Sequence, residues 1–159
     1  MLRDAVLGTW ELVSYTAEEN DGGPITYPLG PDALGLIMYT GDGYMSAQIM
    51  HPDRPDYDRP ETDGGTPEQA EAAATGYLAY SGPFTVDENT GVLHHQPKVS
   101  LLPNWLNLTQ LRHSTLDGDH LTLSAITKAP DGVETVSTLV WKRAPKHPTF
   151  GARTDRRTE

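Results

Sequence analysis

The side chains best suited to chemistry in this sequence are the adjacent histidines His94 and His95, because only histidine titrates near neutral pH. Both fall in a run that alternates like a β-strand, and successive strand residues point to opposite faces of a sheet. At most one of the pair can therefore enter an interior cavity, where it would act as a general acid or base. A metal site would need His51 or His113 together with carboxylates, and no spacing such as HExxH supports one. We expect no metal, and the plainer alternative is a strand histidine hydrogen-bonded to its neighbours.

Two tyrosines and one arginine are the other candidates for catalysis. Tyr44 and Tyr80 carry phenols that can act as weak acids or orient a carbonyl group, although tyrosines also fill barrels by size alone. Arg112 lies on a predicted strand with Gln110 on its own face. If that face is inward, the guanidinium needs an anionic partner such as a ligand carboxylate or enolate. If it is outward, which is commoner for arginine, Arg112 is an ordinary solvated side chain.

Five polar or aromatic residues are candidates for contacts with a ligand. They are Tyr39, Gln48, Asn104, Trp105 and Gln110. The segment PNW at 103–105 forms a corner between strands, where the indole would line the mouth of a cavity and the amide would donate into it. A turn asparagine beside a core indole is an equal alternative. Gln48 alternates with apolar neighbours, so a position in solvent is the plainer interpretation for it.

These residues would be positioned by short strands that are joined by glycine turns. Gly41-Asp42-Gly43 joins the clearest hairpin, because its glycines supply the positive φ of a tight turn. The alternation predicts a mainly β fold with eight or nine antiparallel strands in an up-and-down barrel. The strands are expected at about 7–17, 25–27, 35–40, 44–50, 83–87, 92–99, 106–116, 121–127 and 133–143. Eight strands is the size at which a barrel can hold one small ligand.

One helix is expected to interrupt the strands. The proline-rich segment 51–65 predicts a surface loop, and Thr66-Pro67-Glu68-Gln69 then has the pattern of a capping box at the start of a helix. Apolar residues at helical spacing predict an amphipathic helix over 67–79 that lies against the barrel. Residues 1–143 would form this single domain, and 144–159 would be a flexible tail.

Composition limits the class of partner. The 159 residues carry a formal net charge of -10, which repels nucleic acid and anionic membrane surfaces. The sequence has no cysteine, no apolar run of membrane-spanning length and no room for a signal peptide before the first strand, so we expect a cytoplasmic protein. No dinucleotide, phosphate-loop or nucleophile-elbow motif is present, and we expect no cofactor.

The opening Gly8-x-Trp10 and the segments after it resemble the bacterial lipocalin-like domain family of the calycin superfamily. Besides the histidine pair, the matching segments are YTGDGYMS at 39–46, PDRP at 52–55, GYLAYSG at 76–82, PNW at 103–105 and DGDHLTLS at 117–124. The resemblance covers roughly residues 6 to 143. It implies a barrel plugged by Trp10, with Arg143 or Lys142 of the last strand stacked over that indole. It also implies that the histidine pair is a family feature.

Three functions stay open. The architecture favours binding of a small, largely apolar molecule in the barrel, by a monomer or a homodimer. The alternative is a cofactor-free cyclase or isomerase acting on a polyketide- or terpenoid-like intermediate, with one histidine and Tyr44, Tyr80 or Arg112 as acid and base. The third is a filled barrel that acts through protein partners. An apolar cavity would favour carriage, whereas several polar groups around an inward histidine would favour catalysis.

Overall fold

A computed structural model describes residues 1–20 and 22–147 of the chain. Within these ranges the chain forms two α-helices, nine strands and one short 3-10 helix, Pro103–Trp105. In chain order the others are α1 (Leu2–Val6), β1 (Gly8–Glu19), β2 (Leu34–Tyr39), β3 (Tyr44–Met50), α2 (Pro67–Thr75), β4 (Tyr77–Asp87), β5 (Val92–His95), β6 (Val99–Ser100), β7 (Gln110–Asp117), β8 (His120–Lys128) and β9 (Glu134–Arg143).

The strands close into an antiparallel barrel. Each strand pairs with the next around the sheet, in the order β3, β2, β1, β9, β8, β7, β5 and β4, and β4 pairs back with β3. Eight strands thus close the barrel, and the two-residue strand β6 is an extra strand that pairs with β4. This topology confirms the predicted mainly β, up-and-down barrel. Closure pairs both edges of the eight-stranded sheet with each other, so these two edges are not available to a strand of another chain.

The interior is filled by the side chains that alternate inward along each strand. On β3, for example, Met45, Ala47 and Ile49 are buried, while Tyr44 is exposed. The largest fully buried side chains from the strands are Trp10, Ile37, Tyr39, Ile49, Leu93, His95, Leu121, Leu123 and Trp141. One imidazole therefore lies inside an otherwise apolar or aromatic core.

Trp10 and α1 close one end of the barrel. The Trp10 indole is fully buried and its Nε1 donates to the Val6 carbonyl at 2.9 Å. The Arg143 guanidinium lies 4.0 Å from the indole centroid and donates to the carbonyls of Leu7 and Ala5 at 2.9 and 2.6 Å. Gly8, with φ of 114°, lets the chain turn from α1 into β1 directly under this guanidinium. Arg143 over Trp10 confirms what the resemblance implied, whereas α1 was not predicted.

The helix α2 begins where the capping box predicts and ends earlier than expected. The Thr66 hydroxyl accepts from the Gln69 amide at 3.2 Å, and the Gln69 side chain accepts from the Thr66 amide at 3.0 Å. The helix ends at Thr75, so the prediction of helix over 76–79 was wrong. Gly76 ends the helix, and residues 77–79 begin β4. They are strand because β3 pairs with β4 along its whole length, which places Tyr77 opposite Met50.

Three predicted strands differ from expectation: the strand predicted at 106–116 begins only at Gln110, and two others are shortened or divided. Residues 25–27 form only an isolated bridge, in which Thr26 pairs with Ala17. The segment 92–99 is divided into β5 and β6, because Pro97 has no amide hydrogen for a ladder and the chain passes tightly over β4 there. Gly82 makes this crossing possible, since a Cβ at that position would overlap the Gln96 carbonyl.

The predicted tail falls largely beyond the described part of the chain. Residues 144–147 follow β9, and the Ala144 amide donates to the Thr9 carbonyl at 2.9 Å. Residues 148–159 lie outside the described residues. None of the helices in 1–20 and 22–147 has the length and apolar character needed to cross a membrane.

Candidate ligand-binding site

A cavity of about 270 Å³ lies inside the barrel. This volume is near the lower end of the usual range for ligand pockets, about 300 to 1,000 Å³. Most of its wall is apolar or aromatic, formed by Tyr15, Ile37, Ala47, Ile49, Leu78, Tyr80, Trp105, Leu123, Ala125, Leu139 and Trp141. The polar side chains in the wall are those of Gln110, Arg112, Thr127 and Ser137. Such a lining suits a small aromatic or aliphatic molecule that carries a few polar groups.

His95 faces inward but is held between two tyrosines. Its Nε2 is 2.9 Å from the Tyr39 hydroxyl and its Nδ1 is 3.0 Å from the Tyr80 hydroxyl. A neutral imidazole has one donor and one acceptor nitrogen, so one tyrosine donates to the ring and the other accepts from it. The ring has no exposed surface and is not part of the cavity wall. Both of its nitrogens are therefore already used by the protein.

Burial sets the protonation of this cluster. Burial, aided by the positive charge of Arg112 and by His94, lowers the pKa of His95 to about 3. Burial also raises the pKa of Tyr39 and of Tyr80, and the Arg112 charge partly opposes the rise at Tyr80. At neutral pH all three side chains are uncharged. An imidazole with this pKa is a poor general base near pH 7.

Arg112 is the charged side chain of the cavity wall. It is half-buried on β7, with its guanidinium carbon 6.0 Å from the Tyr80 ring centroid and 5.7 Å from the Trp105 ring centroid. Its Nη1 donates to the Leu111 carbonyl at 2.9 Å. Among the described residues, no carboxylate lies within the 4.0 Å distance of an ion pair to this guanidinium. Of the two orientations considered from the sequence, the structure has the inward one, which is the less common for arginine.

Trp141 contributes an unused hydrogen-bond donor to the same cavity. The residue is 1% exposed and lines the cavity wall. Its indole nitrogen is buried and has no hydrogen-bond partner among the described residues. Buried indole N–H groups usually find a partner. Sequence reasoning missed this residue, although the alternation of β9 places it on the same face as Ser137 and Leu139.

Comparison with known proteins places these features in a family. A family model described as a lipocalin-like domain matches residues 7–144. The chain belongs to this family. It is also 38% identical over 109 residues to a protein of Aspergillus oryzae named 4'-hydroxy-3'-methoxypropiophenone carrier protein, and the alignment covers 64% of this chain and 98% of that protein. No solved structure gave a match. Neither finding shows a bacterial source, since this relative is fungal.

The lipocalin-like barrel brings together six of the ten residues singled out from the sequence. Tyr80, Trp105, Gln110 and Arg112 line the cavity, and Tyr39 and His95 lie behind Tyr80. The edge of the Trp105 ring packs against Tyr80 at a centroid distance of 5.2 Å. One end of the cavity therefore combines a phenol, an indole and a guanidinium.

The other four candidates do not line the cavity of this lipocalin-like barrel. Tyr44 is 54% exposed on the outer face of β3, and Asn104 is exposed in the 3-10 helix. His94 is on the face of β5 opposite His95. Gln48 accepts from the Tyr77 hydroxyl at 2.7 Å in a groove on the outer wall. The described residues hold no group of three or more histidine, aspartate or glutamate side chains that could bind a metal ion.

Proposed function

We propose that this lipocalin-like protein is a carrier that binds a small, largely apolar organic molecule, of about the size of one substituted aromatic ring, inside its barrel. The observation that carries the proposal is the closed barrel with an interior cavity of about 270 Å³ whose wall is mostly apolar and aromatic. The relative from Aspergillus oryzae is named as a carrier of an aromatic ketone, which is a molecule of this class.

The state of the inward histidine also favours carriage over catalysis. A catalytic histidine needs a free nitrogen within reach of the substrate and a pKa near the working pH. His95 has both nitrogens bonded to tyrosines, no exposed surface, and a pKa of about 3. These features suit a structural role in fixing Tyr39 and Tyr80.

The proposal is tested by titrating the full chain with 4'-hydroxy-3'-methoxypropiophenone in a calorimeter. We expect saturable binding with one site per chain. Ala125 lines the cavity, whereas the next residue of β8, Ile126, is 57% exposed. Ala125→Phe should fill part of the cavity and weaken binding by more than about tenfold. Ile126→Phe is the matched control and should bind like wild type.

Two results would overturn the carrier proposal. The first is that the wild-type protein binds neither this ketone nor simpler aryl ketones. The second is that Ala125→Phe, shown to be folded by its thermal transition, binds as tightly as wild type. In the second case the ligand would occupy some other part of the molecule, for example the groove on the outer wall.

Acid–base catalysis on a bound ketone is the second candidate, and it is favoured by one observation. The Tyr80 ring lines the cavity, while its hydroxyl is bonded to His95, which in turn is bonded to Tyr39. A phenol connected in this way can pass a proton along the chain of hydrogen bonds. If it did so, the protein would accelerate exchange of the ketone α-hydrogens in deuterium oxide, and Tyr80→Phe would abolish that acceleration. If the exchange of these hydrogens is no faster with the protein than in buffer, the catalytic candidate is wrong and the carrier proposal stands by itself.

A further inference from the structure

We propose that the cavity selects an elongated aromatic molecule that carries an anionic oxygen at one end, held by Arg112, and a neutral hydrogen-bond acceptor at the other end, held by the indole N–H of Trp141. This inference rests on the proposed carrier function and specifies the class of its ligand. Two groups in one small cavity lead to it, a guanidinium without an anionic partner and an indole N–H without an acceptor.

The first donor is an uncompensated cation. The chain has 22 acidic against 12 basic side chains, yet no carboxylate among the described residues pairs with Arg112. The other side chains of the cavity wall are uncharged. A guanidinium that is partly removed from water is stabilised most by a planar group that carries negative charge on oxygen. The described protein supplies none, whereas a ligand in the cavity can supply one.

The second donor is the Trp141 indole, which is 1% exposed and has no hydrogen-bond partner among the described residues. An indole nitrogen donates and cannot accept, so its partner must be an acceptor such as a carbonyl or ether oxygen. A neutral acceptor suffices, because the indole carries no charge. The two donors therefore call for different groups on the ligand.

The sheet register separates the two donors along the barrel. Trp141 pairs with Leu121 on β8, and His113 pairs with Ser124, which brings the neighbouring Arg112 beside Ala125. From Leu121 to Ala125 is four residues, or about 13 Å along the strand and about 10 Å along the axis of a barrel with tilted strands. Arg112 and Trp141 therefore reach the cavity from different levels of the barrel, and a benzene ring substituted at opposite positions can present one oxygen toward each of them.

Acidity is what distinguishes a phenol that fits this site. An acyl group opposite the hydroxyl spreads the charge of the phenolate and lowers the phenol pKa below the ordinary value for tyrosine, about 10. The anion then forms at an accessible pH, while arginine stays protonated throughout. An aryl carboxylate would present the same anionic oxygen and is the other source of this chemistry.

The test compares three probes that differ in one group. They are 4'-hydroxypropiophenone, its 4'-methoxy analogue, which cannot ionise, and 4-propionylbenzoate, which is always ionised near neutral pH. Wild-type affinity for the hydroxy ketone should rise with pH in proportion to the phenolate fraction. Affinity for the methoxy ketone should be weaker and independent of pH, and affinity for the carboxylate should be strong at every pH above 6.

Variants assign the two ends of the ligand. Arg112→Gln should weaken binding of the ionised probes by about ten- to a hundredfold and of the methoxy ketone much less, and Arg112→Lys should restore part of the loss. Trp141→Phe, which keeps the ring and removes the N–H, should weaken all three probes by about two- to tenfold. Lys128→Gln removes one exposed charge from β8 and is the control for net charge.

The outcomes separate this inference from the carrier proposal. If the wild-type protein binds the hydroxy and methoxy ketones with equal affinity at every pH, the selection for an anion is wrong, while carriage stands. If only the carboxylate binds, the anionic class is correct and the phenolate is not the ligand. If none of the three binds, both the inference and carriage of aryl ketones are overturned. The probe comparison uses wild-type protein, so it stays decisive even where a variant fails to fold.

Discussion

Buried neutral His95 should make the folded barrel sensitive to mild acid. The pKa of His95 in the folded protein is about 3, against 6.5 for an unperturbed histidine. As pH falls through 6.5, the unfolded chain therefore binds a proton at this residue while the folded chain does not. The contribution of neutral His95 to the free energy of unfolding is fully present above pH 6.5 and is lost progressively as pH falls toward 3. Between pH 7 and pH 5 the loss from this one group is about 2 kcal/mol.

The measurement is the free energy of unfolding by urea at pH 7, 6 and 5, for wild type and for His95→Gln. Glutamine does not titrate, and its amide can still donate to one tyrosine and accept from the other. At pH 7 the variant should be less stable by about 1 to 3 kcal/mol, because the fit of the two hydrogen bonds is poorer. The difference should shrink by about 2 kcal/mol at pH 5, which corresponds to about 4 to 8 °C in the melting temperature.

His113→Gln provides the matched control. His113 is exposed on the outer face of β7, so its replacement removes one histidine without changing the buried cluster. Its stability should follow that of wild type at each pH. If wild type and His95→Gln lose the same free energy between pH 7 and pH 5, the imidazole is not held neutral between Tyr39 and Tyr80, and the argument against its use in catalysis fails with it.

Three further substitutions test other parts of the fold. Arg143→Gln removes the guanidinium over Trp10 and its two hydrogen bonds to the carbonyls of Leu7 and Ala5. It should lower the free energy of unfolding, measured with urea, by about 1 to 3 kcal/mol. An unchanged urea midpoint would show that closure of the barrel end by Trp10 does not depend on this contact. Gly82→Ala places a Cβ against the Gln96 carbonyl and should cost more than about 2 kcal/mol or reduce soluble yield, whereas wild-type stability would contradict the tight crossing. Thr66→Ala removes the cap of α2, which is worth about 1 kcal/mol. Amide exchange in 67–75 should become faster, while the global unfolding transition should change little, because no residue of this helix is buried. A lower global free energy of unfolding would mean that α2 supports the barrel.

Much of the fold could be predicted because local signals and the barrel agree. The glycine turns, the alternation of the strands and the capping box at Thr66 each act over a few residues, and each appears in the structure. The errors fall where a partner far along the chain decides the conformation. Tyr77 and Leu78 continue the helical pattern of 67–75, yet they become strand because Met50 and Ile49 of β3 require partners. Propensity is a weak prior when a sheet has to close.

The candidate site was harder to predict, because alternation shows which residues share a face and not which face is inward. Gln110, Arg112 and Ser114 share a face, and the sequence alone left its orientation open. Trp141 went unnoticed for a different reason. An indole on a strand is the expected core residue, and only the three-dimensional structure reveals that its N–H has no partner.

The orientation of β7 is itself an argument for a ligand. On this strand the apolar Leu111 is 49% exposed, while the adjacent Arg112 faces the cavity, which reverses the usual preference. A shift of one residue would bury Leu111, but it would also turn Leu116 away from the core against which it packs. The pairings with β5 and β8 hold the strand in its register and so keep the guanidinium inside. A molecule that neutralises that charge would therefore stabilise the barrel. Binding of an anionic probe should therefore raise the melting temperature of wild type more than that of Arg112→Gln.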